Sequence, residues 1–497
     1  MAVRDIEIEK KALAKEYKEL LKISYQTLSV DDKKLIRKAF NFAVDAHEHQ
    51  RRISGEAYIF HPIAVAKIVA YEIGLDAISI AAALIHDVVE DNSNYSIQNI
   101  KKIFGKDIAR IVDGLTKISN INKKGDISHQ AENYRKMLLT LNEDVRVIII
   151  KIADRLHNMQ TLSSMPAEKQ IKKASETLYI YAPLAHRIGL YNIKTELEDL
   201  GLKYTDPETY NDISKKLIEN KKDQDDYIKR FNDTIIKSLT KEKLKYEIKG
   251  RSKSIFSIRN KMIKQGISFD EVYDKFAVRI IYKSNPKNEK FLAWKIYSIV
   301  TDHFTPNPIR LRDWISAPKS TGYEALHITV VGPKSRWVEV QIRSERMNEI
   351  AEKGYAAHYK YKQKNDKSDD SLDVWINKLQ EALENPDANA VDFVEQFKLN
   401  LYAKEIFVFT PQGELKSLPV DATPLDFAFA IHTEVGLKTR GAKVNGKLVP
   451  LSKKLKSGDR VEILTSDKIR PSSNWMDYAT TAKARSKIKS TLNAEKK

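Results

Sequence analysis

The sequence predicts a multidomain protein of the α and α+β classes, with an all-α region over residues 1–200, an α/β region over 246–365 and a small β-grasp-sized module over 403–466. Three observations carry that reading. From about residue 5 to 200, apolar residues recur at spacings of three and four with few Gly or Pro, as amphipathic helices require. From 246, runs rich in β-branched and aromatic residues (KFAVRIIY, LHITVVG, RWVEVQIR) alternate with helical stretches. From 404 to 466, short alternating strands separated by turn signals (TPQGE, VNGK, KSGDR) surround one helix. A chain of 497 residues also exceeds what one ordinary core holds.

Taken in order, the helical region is divided by short breaks near Ser54-Gly55 and Asn92-Ser93-Asn94. The run Val145 to Ile152 (VRVIIIKI) is β-branched enough for a strand, but it continues unbroken into ADRLHNMQTL, which predicts a helix. Residues 201–245, rich in Lys, Asp and Glu, read as a helical connector, and the polar run YKQKNDKSDDS leads into a helical linker over 366–402. Residues 467–497 (ATTAKARSKIKS within them) read as the start of a helical region cut short. No internal repeat is apparent.

Composition bounds the chemistry. No apolar run approaches the roughly 18 residues of a membrane span, and the charged start MAVRDIEIEKK leaves no room for a signal peptide's apolar core, so a soluble, cytoplasmic protein is expected. There is no cysteine, so any metal falls to His, Asp or Glu, which favours Mn, Mg or Fe over a structural zinc. Lys and Arg outnumber Asp and Glu by 85 − 67 = 18, consistent with an anionic partner but equally with a solvated basic face.

Ile78 to Asp91 (ISIAAALIHDVVED) reads as an apolar helix ending in His86, Asp87, Glu90 and Asp91, with His86 above Glu90 and Asp87 above Asp91. Four ionisable groups at the end of a buried helix are costly unless paired or metal-bound. His61 opens the helix HPIAVAKIVA, and Asp154 and Asn158 stand one turn apart in KIADRLHNM. Two histidines and two aspartates make a nitrogen and oxygen shell suited to Mn²⁺ or another divalent ion. A lone His-Asp pair is more often a cap or ion pair, but four such positions in three apolar helices reverse that weighting.

In the α/β region, GRSKSIFSIRNKM places Arg251, Lys253, Arg259 and Lys261 at and beyond a glycine, a plausible cradle for a polyphosphate. Asp274, opening DKFAVRI, and Glu339, inside VEVQIR, form a carboxylate pair fit to hold Mg²⁺ at a phosphoryl centre. Between them, IRLRDWISAPKSTGYEALHITV offers Tyr323 for base stacking and Arg310, Arg312 and Lys319 for phosphates.

These residues carry a resemblance to the long RelA/SpoT-type synthetase/hydrolases of the alarmone (p)ppGpp. RRISGEAYIFHPIAVA, HDVVEDN, VDGLTKI and IKIADRLHNM carry it in the first part; GRxK, DxxAxRI, RxxD, PKxxGY, LHxTVxGP, ExQIR and AExGxAAH follow in order in the second. The resemblance implies an HD-type hydrolase domain at 1–200, a nucleotidyltransferase-like synthetase domain at 246–365 and a TGS domain at 403–466. It implies metal ligation by His61, His86, Asp87 and Asp154, water activation by Glu90 and Asp91, and nucleotide contacts by Arg52, Ser54, Asn158 and Thr161. For the synthetase it implies transfer of pyrophosphate from ATP to the 3′-hydroxyl of GDP or GTP. Glu339 and Asp274 would be catalytic, Arg251, Lys253 and Lys261 would meet ATP, Arg279 (in DKFAVRI) would join the nucleotide set, and His327, Gln341 and Arg343 would shape the acceptor site. Mn²⁺ is implied for hydrolysis and Mg²⁺ for synthesis, with the ribosome and uncharged tRNA as partners of the TGS region, where His432 lies in AIHTEVG. Three departures stand out: Pro308 to Asp313 reads PIRLRD where the family has Arg-x-Lys-Asp after Pro-Gly, Thr321 to Glu324 reads TGYE for NGYQ, and His358-Tyr359 stands for His-Trp. Alternatives are an HD-type nucleotide phosphohydrolase whose middle domain only binds nucleotide, or a ribosome- or tRNA-binding regulator with vestigial catalysis.

Overall fold

Helix boundaries in the first region follow from local capping chemistry. Ser29 and Asp32 form a reciprocal capping box before the helix Val30–Ala46, Asp76 caps Ala77–Leu84 through the Ser79 N–H, and Asp144 caps Val145–Gln160 through the Arg146 N–H. The computed structural model describes residues 3–24, 26–121, 144–272, 275–319, 321–354 and 405–494. They belong to two units, one of residues 1–117 with 144–372 and one of residues 118–143 with 373–497.

The first part of the first unit is helical among the described residues. Val145–Gln160 is a helix despite its β-branched run because it is buried nearly all round: Ile148, Ile149, Ile150 and Ile152 all lie in the core. The Phe60–Lys67 helix continues into a wider π-helical turn, Ile68–Ile73, which ends at Gly74 in the left-handed region (φ 89°). The break at Ser54-Gly55 is a tight turn closed by an Arg51–Ala57 bridge, and Gly55 takes φ 86° there.

One expectation is corrected. The segment Ile78 to Asp91 is not one helix: Ala77–Leu84 stops, residues 85–87 turn, and a single short turn Val88–Asp91 follows. The cause is local. His86 Nδ1 donates to the Ala83 carbonyl at 2.8 Å, taking the acceptor that a continuing helix would offer to the Asp87 N–H.

The second part of this unit is a mixed five-stranded sheet. Its strands are β1 (Tyr246–Ser252), β2 (Phe276–Tyr282), β3 (Arg312–Asp313), β4 (Leu326–Val331) and β5 (Trp337–Ser344), in the order β1-β2-β5-β4-β3. Only β2 and β5 run parallel, joined in register at Arg279–Gln341. The helix Glu289–His303 covers the sheet, and Lys221–Lys241 lies beside it. Tyr227, Phe231, Ile235 and Leu239 are buried against Val278, Ile280, Val340 and Ile342. The stretch read as a connector is therefore partly a wall of the sheet's own core. Its apolar residues recur every three or four positions beneath a charged outer face, which masked them by composition.

In the second unit, β6 (Glu405–Phe409) and β7 (Leu415–Pro419) form one ribbon. β8 (Thr439–Val444), β9 (Lys447–Val449) and β10 (Val461–Thr465) form another, and a parallel bridge at Phe409–Arg460 links the two. The helix Pro424–Ile431 packs Phe427 into this strand core and turns Leu425 and Phe429 toward Trp475, Ala479, Ala484 and Ile488. Buried Asp426 binds the N–H and hydroxyl groups of both Thr480 and Thr481. The segment after 466 is thus fastened to the small module rather than standing apart from it.

Candidate active sites

The first site lies where the Phe60–Lys67 helix, the His86 turn and the Val145–Gln160 helix converge. His61, His86 and Asp154 are all buried, at 2%, 2% and 5% exposure, and each offers a ligand atom within 4.8 Å of the others. Asp87 adjoins them: its Oδ2 stands 3.0 Å from His86 Nε2 and 3.7 Å from His61 Nε2, and it accepts a hydrogen bond from Tyr58 at 2.7 Å. Asp154 Oδ1 lies 3.2 Å from His61 Nε2, while Lys151 holds its Oδ2 at 2.7 Å.

The donor set fits a divalent cation. The carbonyl of Ala83 can only accept, so His86 Nδ1 carries a proton, and Nε2 of the neutral ring presents its lone pair to the cluster without a hydrogen bond. Asp87 lies close to that nitrogen but outside hydrogen-bond geometry. Burial opposes charge throughout, yet the histidines hold Asp87 well below the usual carboxylate range, and Lys151 and His61 do the same for Asp154. With no cation bound, the two carboxylates push His86 up to about 9 against its burial, so a cation would take the place of the proton on Nε2. Such a set of anionic oxygens and imidazole nitrogens is what a hard or borderline cation takes.

Of the other predicted residues, Asn158 and Arg52 connect to this cluster by hydrogen bonds. Asp91 follows the turn, and its carboxyl is pushed up to about 6 by partial burial and then by the charge of Asp87, although the residue keeps an exposed face. Glu90 is half-buried beside it. Asn158 donates to Asp154 Oδ1 at 2.6 Å and accepts from Arg52 at 3.1 Å, which ties Arg52 to the cluster. Thr161 caps its own helix through the His157 carbonyl, and Ser54 stands exposed in the Gly55 turn. Tyr58, Lys151 and His157 were missed. Lys151 had a signal, the one charge inside the apolar run 147–152; His157 and Tyr58 sit three residues from Asp154 and His61.

On the sheet, alternation along β5 puts Glu339, Gln341 and Arg343 on one face, opposite His327 of β4. They close into a ring. Gln341 donates to Glu339 (2.7 Å), Arg343 donates to Gln341 (2.9 Å) and to the Tyr323 hydroxyl (2.5 Å), and that hydroxyl meets His327 Nε2 (2.8 Å). Because Arg343 only donates, the Tyr323 O–H points at His327 Nε2, and His327 Nδ1 carries the proton toward Glu339, 3.4 Å away. Burial alone would raise Glu339, but His327 and Gln341 hold it at about 2. Arg279 pairs with Glu352 at 2.6 Å, and burial followed by the Arg279 charge lowers Arg251.

Tyr323 is 8% exposed. Its ring meets Tyr191 edge-on at 5.5 Å and Trp314 at 5.7 Å, while Lys319 and Arg343 each stand 4.9 Å from its centroid. Stacking on a base therefore requires neighbours to part. Lys253 follows β1, Lys261 lies on the helix Ile255–Gln265, Arg310 ends a short turn, and Arg312 lies on β3 with its guanidinium on the Ile309 and Leu311 carbonyls. Asp274 and His358-Tyr359 lie outside the described residues. Tyr191, Trp314, Glu352 and the Glu289–Arg346–Glu324 cluster were not foreseen. In the second unit His432 is exposed and caps the Thr433–Leu437 turn by accepting from the Glu434 N–H.

Comparison with known proteins identifies an HD domain over residues 39–191, a region found in RelA/SpoT proteins over 250–366 and a TGS domain over 406–465. The chain is 42% identical over 474 residues to a "GTP pyrophosphokinase" of Myxococcus xanthus, covering 94% of this chain and 61% of that one. It is 43% identical over 466 residues to a "guanosine-3′,5′-bis(diphosphate) 3′-pyrophosphohydrolase" of Aquifex aeolicus, covering 93% and 65%. To the "bifunctional (p)ppGpp synthase/hydrolase SpoT" of Escherichia coli K12 it is 39% identical over 468 residues, covering 94% and 66%. The chain thus spans between about three fifths and two thirds of these relatives' lengths.

Proposed function

The chain belongs to the RelA/SpoT family, and from that premise we propose that it removes the 3′-pyrophosphate of (p)ppGpp, giving GDP or GTP, and also transfers pyrophosphate from ATP to the 3′-hydroxyl of GDP or GTP. The observation that carries the reading is the convergence of His61, His86 and Asp154 within 4.8 Å, beside Asp87.

A divalent cation, Mn²⁺ in this proposal, held by His61, His86, Asp87 and Asp154, would supply Lewis acidity for water and neutralise pyrophosphate charge. Asp91, with a carboxyl poised near neutrality, accepts the proton of the attacking water, and Glu90 orients that water beside it. Arg52, tied to Asn158, holds the nucleotide with Thr161 and Ser54. On the sheet, Glu339 stays anionic at working pH, so it accepts the acceptor nucleotide's 3′-hydroxyl hydrogen bond and, with Asp274, would hold Mg²⁺ to neutralise phosphate charge. Arg251, Lys253, Lys261, Arg279, Arg310, Arg312 and Lys319 supply cationic contacts for phosphates, and Gln341, His327 and Arg343 fix the orientation of Glu339 and Tyr323. Contact of the TGS module with ribosome and tRNA, and a cytoplasmic location, belong to the same proposal; among the described residues no helix is long and apolar enough to cross a membrane.

Thin-layer separation of labelled nucleotides tests both halves. Glu339→Ala is expected to remove synthesis from ATP and GDP while leaving hydrolysis of ppGpp with Mn²⁺, and His86→Ala to do the reverse. Synthesis surviving Glu339→Ala would leave an HD-type phosphohydrolase with some other source of synthesis.

A further inference from the structure

We infer that His157 is a positioning residue for the metal site: its Nδ1 accepts the Nδ1 proton of His61 and thereby keeps His61 Nε2 as the bare nitrogen that faces the cation. The inference rests on the metal reading above. His157 lies on the Val145–Gln160 helix, three residues beyond Asp154, so both reach the same cluster from one helical face.

The argument turns on counting protons. His61 Nδ1 and His157 Nδ1 are 2.8 Å apart, so one of the two nitrogens donates and the other accepts. Arg52 decides which. Its Nη1 approaches the same His157 Nδ1 at 3.5 Å, and a guanidinium has no lone pair to offer, so the shared nitrogen is the acceptor. The proton in the short contact then belongs to His61 Nδ1. In the neutral ring that leaves Nε2 bare, and Nε2 is the atom placed 3.2 Å from Asp154 and 3.7 Å from Asp87. The Ala83 carbonyl does the equivalent work for His86. The two metal-facing histidines are thus set by different means, one by a backbone oxygen and one by another imidazole. The rings of His61 and His157 are tilted by 35° with centroids 4.9 Å apart, so the contact is edge-directed rather than a stacked face. Because Arg52 reads the same nitrogen, the proposed nucleotide contact and the metal ligand share one acceptor.

Mn²⁺ titration of the full 497-residue protein, followed by calorimetry and by loss of the free Mn²⁺ paramagnetic signal, tests this with two variants. His157→Asn keeps an acceptor where Nδ1 stood; His157→Leu fills the space without one. Orienting partners of ligating histidines are worth about 10–100-fold in metal affinity, so His157→Leu is expected to weaken Mn²⁺ binding by about that factor and His157→Asn by no more than about threefold. His157→Leu binding as tightly as the unaltered protein, or His157→Asn weakening as far as His157→Leu, overturns the inference. Thermal melting of the metal-free variants checks folding, and His157→Ala replaces His157→Leu if the latter fails to melt cooperatively. An unaltered protein whose titration matches that of His86→Ala overturns the metal reading itself, a different result from failure of the His157 pair alone.

Discussion

Tyr191 is predicted to restrain the acceptor site of the sheet. Its hydroxyl is 2.5 Å from Thr321 Oγ1 and its ring meets Tyr323 edge-on at 5.5 Å, so Tyr191 is one of the neighbours that must part before Tyr323 stacks on guanine. Removing the hydroxyl alone, in Tyr191→Phe, gives up one hydrogen bond of about 1 kcal/mol net, or roughly fivefold in the ratio of closed to open forms. Tyr191→Leu also gives up the ring pair, about 0.5–1.5 kcal/mol more, for a combined shift of roughly ten- to sixtyfold. When the closed form dominates, the apparent affinity for the acceptor nucleotide rises by the same factor. Steady-state synthesis with varied GDP and saturating ATP is the assay: KM for GDP should fall about fivefold in Tyr191→Phe and further in Tyr191→Leu, with kcat and KM for ATP within about twofold. An unchanged KM for GDP refutes the restraint. A raised one refutes it more pointedly, because Tyr191 would then be a substrate contact.

Three further outcomes follow from the geometry. Hydrolysis should decline as pH falls below about 6, because Asp91 must be ionised to accept a proton and its carboxyl is raised from 3.8, less so once a bound cation offsets the Asp87 charge; a ppGpp hydrolysis profile flat down to about pH 4 would deny Asp91 that role. Gly354→Ala should lower the melting temperature far more than Gly266→Ala. A Cβ on Gly354 would stand 2.7 Å from the Gly189 carbonyl oxygen at φ 56°, ψ −128°, costing roughly 2–6 kcal/mol in strain and overpacking, whereas Gly266 at φ 63° has open space and costs about 1–2 kcal/mol. In urea melts, Glu289→Gln should cost about 3–5 kcal/mol, because Glu289 has only 6% of its side chain exposed and takes three hydrogen bonds from Arg346; Glu324→Gln should cost about 1–2 kcal/mol, since Arg346 keeps Glu289 as counter-ion.

The sequence was most legible where one element determines the outcome. His61 in the first turn of its helix and Asp154 one turn before Asn158 follow from periodicity, and the alternation of Glu339, Gln341 and Arg343 follows from strand pleating. It was least legible where a side chain competes with the backbone or a partner comes from far along the chain. Nothing in HDVVED announces that the His86 ring will take the Ala83 carbonyl and end the helix. His157 gains its meaning from residues 96 and 105 positions away, and the burial of Tyr323 from Tyr191, far upstream in the chain. The helix Lys221–Lys241 reads as a connector by composition because its charge obscures four buried apolar residues spaced for a single face.

The TGYE departure gains a physical account from the same long-range contacts. Thr321 places a short hydroxyl within reach of the Tyr191 hydroxyl. Glu324 brings a charge where the family has a neutral amide, and that charge meets Arg346 with two donors at 2.8 Å, in a fork that Glu289 completes from the other side. The two changes therefore brace the loop at both ends of Gly322-Tyr323, one toward the helix Tyr191–Thr205 and one toward Glu345–Lys353. Gly322, at φ 74°, lets the loop turn between those anchors and return the Tyr323 carbonyl to the Lys319 N–H. Charge added at Glu324 is thus spent within the protein rather than presented to a nucleotide, and the cationic contacts proposed for phosphate, Arg310, Arg312 and Lys319, remain on the opposite flank of the loop sequence. Substitution at these two positions changes how tightly Tyr323 is held and, through its hydroxyl's contacts with Arg343 and His327, reaches the ring that includes Glu339.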